Sequence, residues 1–383
     1  MAARKAPVTQ WSLADLGVDA ATVGKAAART VVVDASPRPP RANRVKITDT
    51  GDAGTQARRL PHREGTRMTT VAVLVDHRDG VVTRPSLEAL TLARSLGTPV
   101  AVWLGAVPAA DAVALLGEYG AAEVRVVDAA DARIASQAAA ALGAASADAD
   151  VVLVISTFVT KEIATRLALA TGAGVVVDAA GANLVDGKVE AFQTVFAATW
   201  DVRTRIESDK AIVGIRPNTT LAVPADAPAA ATVVEVAVEL PTTRERISHV
   251  EPVAQAEGVP LAEAPVVVSG GRGTGGDYAL VSELADLLGG AVGASRDATD
   301  EGWISHEHMV GQTGTTVTPA LYVAAGISGA VHHRGGMQAS GTIVCINMDP
   351  EAPIFEISDF GVVGSLFDVL PQAIARIKEH RGA

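Results

Sequence analysis

From Met68 onward, short runs of branched apolar residues alternate with alanine-rich stretches of helical length, and nothing else in the chain restricts the fold as much. Val71-Ala-Val-Leu-Val75 precedes a helix-like stretch over 87–96, and Val100-Ala-Val-Trp-Leu104 precedes another over 109–116. The strand-like series continues at 124–127, 151–155, 174–177, 211–215 and 233–236. Strands separated by helix-length segments join as βαβ units, which place them side by side in a parallel sheet. Such sheets are covered by helices on both faces, so their strands read as unbroken apolar runs rather than as alternating ones. The chain is 48% hydrophobic but only 3% aromatic, so Ala, Val, Leu and Ile must fill its core. That suits helix-covered parallel sheets.

At 383 residues the chain exceeds one ordinary domain. Residues 1–67 are punctuated by Pro, Arg and Gly, as in Pro37-Arg-Pro-Pro-Arg41, and carry too little apolar surface for a core of their own. They read as an extended arm. Residues 68–250 form a first α/β domain, Glu251-Pro-Val-Ala-Gln-Ala-Glu-Gly-Val-Pro260 opens a linker over 251–263, and 264–383 repeats the βαβ rhythm before a closing helix over 366–380. The expected class is α/β: two parallel-sheet, Rossmann-like or flavodoxin-like domains with an extended N-terminal arm.

The net charge of −11 argues against sequence-independent binding to nucleic acid, which depends on Lys and Arg neutralising phosphates. Charge is unevenly spread: 12 basic and 6 acidic residues precede Met68, against 20 basic and 37 acidic from there on. The start lacks the apolar stretch of a signal peptide and no segment offers about 18 uninterrupted apolar residues, so a cytoplasmic protein without membrane insertion is expected. Cys345, the one cysteine, reads as a buried strand residue.

Ligand chemistry concentrates in the second domain. Val266-Val-Val-Ser-Gly-Gly-Arg-Gly-Thr-Gly-Gly276 is a strand running into glycines, followed by an amphipathic helix from about Tyr278 to Leu288. Glycines let backbone approach a ligand, and a helix N-terminus offers unpaired N–H groups to an anion. The G-x-G-x-x-G spacing at Gly271, Gly273 and Gly276 is weak by itself, because such turns are often only tight connections. Further strand ends strengthen it: Gly293-Ala-Ser-Arg296, Gly311-Gln-Thr-Gly314, and Gly326-Ile-Ser-Gly-Ala-Val-His-His333. Ligands of open α/β sheets lie beyond the carboxyl ends of strands. Ile346-Asn-Met-Asp-Pro350 and Ser358-Asp359 add groups suited to a ribose and an adenine, so a large dinucleotide fits the inventory.

These same motifs, with Val310-Gly-Gln-Thr-Gly314 and Asp349-Pro-Glu-Ala-Pro-Ile-Phe355, closely resemble the FAD domain of electron transfer flavoprotein alpha subunits. The likeness extends more loosely back to Met68 through Lys161-Glu-Ile-Ala164, Gly172-Ala-Gly174 and Ile215-Arg-Pro217. The resemblance implies a redox carrier without a catalytic residue or metal of its own. It implies that FAD takes electrons from acyl-CoA and related dehydrogenases and passes them to a membrane quinone oxidoreductase or similar acceptor, in a heterodimer with a beta subunit. It further implies that Thr313 lies near the flavin N5, His333 near the N1/O2 edge, and Arg296 and Arg272 beside the ring. Ser295, Gln312 and Ser328 would hold the linking chain and pyrophosphate, with Gly326 in the same loop, and Asn347 and Asp359 the adenosine half. Departures from the family pattern at His332, Thr315 and Met348, and a shorter loop over 273–278, bear on the ring-edge contacts more than on FAD binding.

The arm has a likeness of its own. Trp11-Ser-Leu-Ala-Asp-Leu-Gly-Val-Asp19, Pro37-Arg-Pro-Pro-Arg41 and Asp49-Thr-Gly-Asp52 resemble the C-terminal tail of the family's beta subunit, and natural fusion and a misread gene junction both account for it. The resemblance implies that residues 11–52 lie on the FAD domain of the same chain, anchored by Trp11, Leu13, Leu16 and Val18. Two other functions stay open at this point. A nicotinamide-dependent oxidoreductase would use the glycine turn but wants an acid at the end of the next strand, where Ala294-Ser-Arg296 stands. A non-catalytic assembly scaffold would lack a complete cofactor site. His306, His308, His332 and His333 lack the ordered carboxylate or thiolate partners of a metal site, and Tyr278 and Trp303 read as packing groups.

Overall fold

The computed structural model describes residues 28–38, 45–46, 69–128, 131, 133–196, 199–250 and 259–382. The arm contributes β1 (Thr30–Pro37) and β2 (Val45–Lys46). The first body runs β3 (Thr70–Leu74), β4 (His77–Arg78), β5 (Val81–Val82), α1 (Arg84–Leu96), β6 (Thr98–Leu104), α2 (Ala110–Glu118), β7 (Glu123–Val127), α3 (Ala135–Ala145) and β8 (Val151–Ile155). It continues with α4 (Phe158–Thr171), β9 (Gly174–Val185), β10 (Lys188–Val195), β11 (Trp200–Ile206), β12 (Ala211–Ile215) and β13 (Thr232–Glu235). The second body runs β14 (Val266–Gly270), α5 (Ala279–Leu288), β15 (Ala291–Ala294), α6 (Arg296–Asp300), β16 (Leu321–Ala325), α7 (Val331–Met337), β17 (Thr342–Asn347), β18 (Phe360–Val363) and α8 (Leu366–Arg381).

The first sheet has the order β1-β11-β10-β9-β12-β8-β3-β6-β7-β13. From β9 to β13 every neighbouring pair is parallel, as the βαβ rhythm requires. Its faces separate by residue parity: Val71 and Val73 of β3 pack toward α1 and α2, and Ala72 and Leu74 pack toward α3 and α4. The sequence reading missed the antiparallel ribbon β9-β10-β11. Its hairpin is set by Asp186 and Gly187, both at positive φ (53° and 76°), the Asp-Gly signal of a two-residue turn.

The second sheet has the order β15-β14-β16-β17-β18-β2, parallel throughout. Counted within this body, strands two, one, three, four and five lie side by side, the flavodoxin-like doubly wound order. Small core residues stand in for aromatics here too: Tyr322 is the one large ring buried in this sheet, between Val267 and Ile343, and Cys345 is buried beside it. Burial pushes the Cys345 thiol up to about 12, which keeps it protonated and inert. On the other face α5 and α8 pack Val281, Leu284, Leu370 and Ile374 against Val268 and Val323.

The bodies meet at the segment after β12. Asn218 N–H donates to the Glu88 carboxylate (2.7 Å), Asn218 Nδ2 donates to the Ala264 carbonyl (3.2 Å), and Thr318 Oγ1 donates to the Pro217 carbonyl (2.6 Å). Arg78 pairs with Glu263 nearby. Among the described residues, no helix is long and apolar enough to cross a membrane.

Candidate functional site

In an open doubly wound sheet the crossovers reverse direction once, and the strands on either side of that reversal splay apart at their carboxyl ends. Here the reversal falls between β14 and β16. A cavity of about 590 Å³ opens there, within the size range of cofactor sites. Every parallel strand of this body feeds it from its carboxyl end: Arg272 and Gly273 after β14, Ser295 and Arg296 after β15, Gly326, Ile327, Ser328 and Ala330 after β16, Asn347 to Asp349 at the end of β17, and Gly364 to Phe367 after β18. The turn over 309–313 closes one side.

The floor is bare backbone. Gly273 N–H donates to the Gly326 carbonyl (3.0 Å) and Gly271 N–H to the Ala325 carbonyl (3.0 Å), so two strand-end loops lie directly on each other. Gly326 sits at φ +65°, and a methyl group built on it would stand 2.7 Å from Gly273 Cα and 2.9 Å from Leu366 Cδ2. Only glycine satisfies both demands. At the rim the Arg272 and Arg296 guanidinium groups are exposed, each paired with one neighbouring carboxylate, Asp297 (3.0 Å) and Asp300 (3.2 Å). Exposed pairs of this kind hold little energy and exchange readily for a phosphate or a polarised ring.

Ser295 accepts from Ala298 N–H (3.4 Å) and so starts α6 at the cavity wall. Asn347 Nδ2 donates to the Ile327 carbonyl (2.8 Å), which fixes the β17 end against the β16 loop. Ser328 is exposed toward the cavity, and its carbonyl accepts from Ile354 N–H (3.0 Å). His333 is buried, with Nε2 2.9 Å from the Tyr322 hydroxyl and no hydrogen-bond partner on Nδ1. Burial pushes its pKa down to about 4, against smaller opposing effects of the Val310 backbone and the Asp297 charge. The imidazole is therefore neutral at neutral pH, a hydrogen-bonding group and not a cation.

Eight of the ten expected residues line the cavity: Arg272, Ser295, Arg296, Thr313, Gly326, Ser328, His333 and Asn347. Two do not. Asp359 precedes β18 instead of following a strand, and its carboxylate accepts from Ile343 N–H (2.8 Å) at the opposite end of the sheet. Gln312 N–H donates to the His332 carbonyl (3.0 Å), and its side chain lies against Gly335 of α7. The glycine turn also differs from the expected phosphate cradle, since Asp277 accepts from Ala279 N–H (3.0 Å) just before α5, whose residues stay outside the cavity. The helices that do begin there are α6, α7 and α8, the last with Ser365 accepting from Phe367 N–H (3.2 Å). Sequence reading found α8 without assigning it to the site. Its signal was a serine cap directly after a short strand. Tyr278 donates to the Gly270 carbonyl (2.9 Å) and Trp303 covers Gly276, both as packing groups.

Residues 71–241 match the electron transfer flavoprotein domain, and residues 260–338 match the electron transfer flavoprotein FAD-binding domain. A Mycobacterium leprae protein named electron transfer flavoprotein subunit alpha is 43% identical over 326 residues, covering 82% of this chain and 100% of that protein. Proteins of the same name from Syntrophomonas wolfei and Bacillus subtilis are 36% and 33% identical, over 80% and 81% of this chain and 98% and 97% of their own length. The chain belongs to the electron transfer flavoprotein alpha subunit family. It is a flavoprotein of electron transport, and its cofactor is FAD. The cavity fits that cofactor in volume, in its glycine floor, and in the two guanidinium groups at its rim. This assignment displaces the nicotinamide reading of the glycine turn.

Proposed function

We propose that this protein is the alpha chain of a heterodimeric electron carrier that, with a beta subunit, takes electrons from acyl-CoA and related dehydrogenases in the cytoplasm and delivers them to a membrane quinone oxidoreductase or similar acceptor. The observation that carries the reading is the strand-end cavity, where one bare-backbone floor and two guanidinium groups converge. Bound FAD supplies the acceptance and release of electrons, and the chain's own residues set its position and electrostatics. Arg272 and Arg296 place positive charge where the reduced ring gains negative charge. Ser295, Ser328 and the α8 N-terminus offer donors to the pyrophosphate and linking chain. Asn347 serves the adenosine half. Thr313 offers a neutral partner at the ring, and His333, held by Tyr322, offers a neutral imidazole.

One FAD per chain is the expected loading when the chain is co-expressed with a beta subunit, measured by flavin absorbance against protein concentration. A chain that stays colourless with the beta subunit present and FAD added would overturn the reading. In the loaded complex, Arg296→Ala should lower the flavin potential by about 30 mV, roughly 1.4 kcal/mol for a two-electron couple. Thr313→Ala should act in the same direction but less, because it removes a neutral partner. Redox titration checks both, and unchanged potentials in both variants would remove these residues from the ring.

A further inference from the structure

Three buried polar side chains of the second body form a line that ends at the cofactor cavity: Ser269 on β14, Tyr322 on β16 and His333 on α7. Ser269 and Tyr322 are 0% exposed and His333 is 6% exposed, in a core otherwise built from Val, Ile and Ala. Val267 pairs with Tyr322 and Ser269 with Ala324, so Ser269 and Tyr322 share one face of the sheet. Opposite Ser269 stands Gly293, where a methyl group would collide with the Ser269 hydroxyl, so a glycine keeps that hydroxyl's space.

The Tyr322 hydroxyl lies 2.9 Å from His333 Nε2, with the two rings edge-on. Ser269 makes no hydrogen bond of regular geometry, yet its hydroxyl is near enough to the phenol to favour the ionised form. Burial outweighs that and keeps Tyr322 a neutral phenol with one hydrogen to give. His333 is neutral as well, so its ring carries one hydrogen, on Nδ1 or on Nε2. Nδ1 is buried without a hydrogen-bond partner among the described residues, and His333 lines the cavity.

Two directions are open along this line. If Nε2–H donates to Tyr322, the phenol must donate to Ser269, whose own hydrogen then has no acceptor. A donor stranded in the core carries its full desolvation penalty. In the opposite direction Ser269 donates to the Tyr322 oxygen, Tyr322 donates to Nε2, and the remaining hydrogen stands on Nδ1 at the cavity wall, where a bound group can accept it. The Val310 backbone beside the ring also favours a proton there. Each bond polarises the next, which strengthens the last donor.

We propose that Tyr322, backed by Ser269, is a positioning residue that holds His333 as the Nδ1–H tautomer and so makes it a one-way hydrogen-bond donor into the cofactor cavity. This rests on the reading that the cavity holds FAD with His333 at the ring. A donor fixed in that direction favours a ring edge that has gained negative charge over the same edge uncharged, so its effect falls on the potential more than on FAD affinity.

The test uses the FAD-loaded complex with a beta subunit, its histidines labelled with a heavy nitrogen isotope and the His333 resonances assigned by their loss in His333→Asn. In the wild type, Nδ1 should resonate as a protonated nitrogen and Nε2 as an unprotonated acceptor. Tyr322→Phe keeps the ring and removes the hydroxyl. It should give a mixture of tautomers and weaken binding of reduced relative to oxidised flavin about three- to tenfold, which lowers a two-electron potential by about 15–30 mV. Ser269→Ala leaves the Tyr322–His333 contact in place and should move both readouts the same way by less. A wild-type His333 with its hydrogen on Nε2, or a tautomer and potential unmoved in both variants, would overturn the proposal and reduce the buried line to packing. A tautomer that changes in Tyr322→Phe while the potential stays put would take His333 away from the ring, and overturn instead the reading beneath the proposal.

Discussion

Gly326→Ala is expected to empty the site and to destabilise the second body by about 2–5 kcal/mol. Two costs add. The left-handed backbone at φ +65° disfavours an alanine by about 1–2 kcal/mol, and the new methyl group meets Gly273 Cα and Leu366 Cδ2 well inside contact distance, an overpacking worth about 1–3 kcal/mol. The neighbours cannot yield cheaply. Gly273 is held by its own hydrogen bond to the Gly326 carbonyl, and Leu366 opens α8 at the cavity wall. Relief by separating the two loops would break the floor against which the cofactor lies. Gly289→Ala is the control. Gly289 has the same hand of backbone, φ +66°, with nothing within 4 Å of an added methyl group, so it should cost about 1–2 kcal/mol and leave flavin content intact. Urea denaturation and flavin stoichiometry of the two variants read the difference. Equal effects from both would mean that the loop crossing does not build the site.

The strands and their loops were legible because both rest on short-range chemistry. Residues 151–155 and 211–215 are apolar runs that coincide with β8 and β12, since buried parallel strands tolerate nothing else. The converging loops were legible because ligands sit at strand carboxyl ends, and eight of the ten named residues line the cavity there. The two residues outside the cavity lining have a feature in common. Asp359 and Gln312 were assigned by motif, whereas their directions are set by hydrogen bonds to Ile343 N–H and the His332 carbonyl, which join segments that motif spacing does not relate. The arm strand was hidden for a different reason: β1 buries almost none of its side chains, so it leaves no periodic signal. Trp11, Leu13, Leu16 and Val18, expected to anchor the arm, lie outside the described residues. Of the described arm residues only β2 lies on the second sheet, because β11 offers β1 a longer unpaired edge.

Glu88→Gln should make the protein more stable at pH 8 by roughly 3 kcal/mol while changing little at pH 4. Glu88 is 2% exposed on the buried face of α1. Its pKa is raised to about 7, chiefly because burial penalises the charged form; Glu263 adds to the rise, and the Asn218 N–H and Arg84 oppose it without cancelling it. The folded-state pKa therefore lies above the unfolded value of 4.5. Between those two values the folded chain binds more protons than the unfolded chain, so stability falls as pH rises from about 4.5 to about 7 and stays reduced above that. A shift of about 2.5 units corresponds to roughly 3 kcal/mol. Glutamine keeps an oxygen to accept from Asn218 N–H and never ionises, so it retains the contact and removes the penalty. The consequence reaches the second body, because Asn218 carries the next link to the Ala264 carbonyl. Denaturation midpoints measured from pH 4 to pH 8 should converge at the acid end and separate at the alkaline end. Parallel curves for the two proteins would show that Glu88 is not the group that titrates, and the Asn218 junction would then owe its pH response to Glu263, whose carboxyl is also raised by burial.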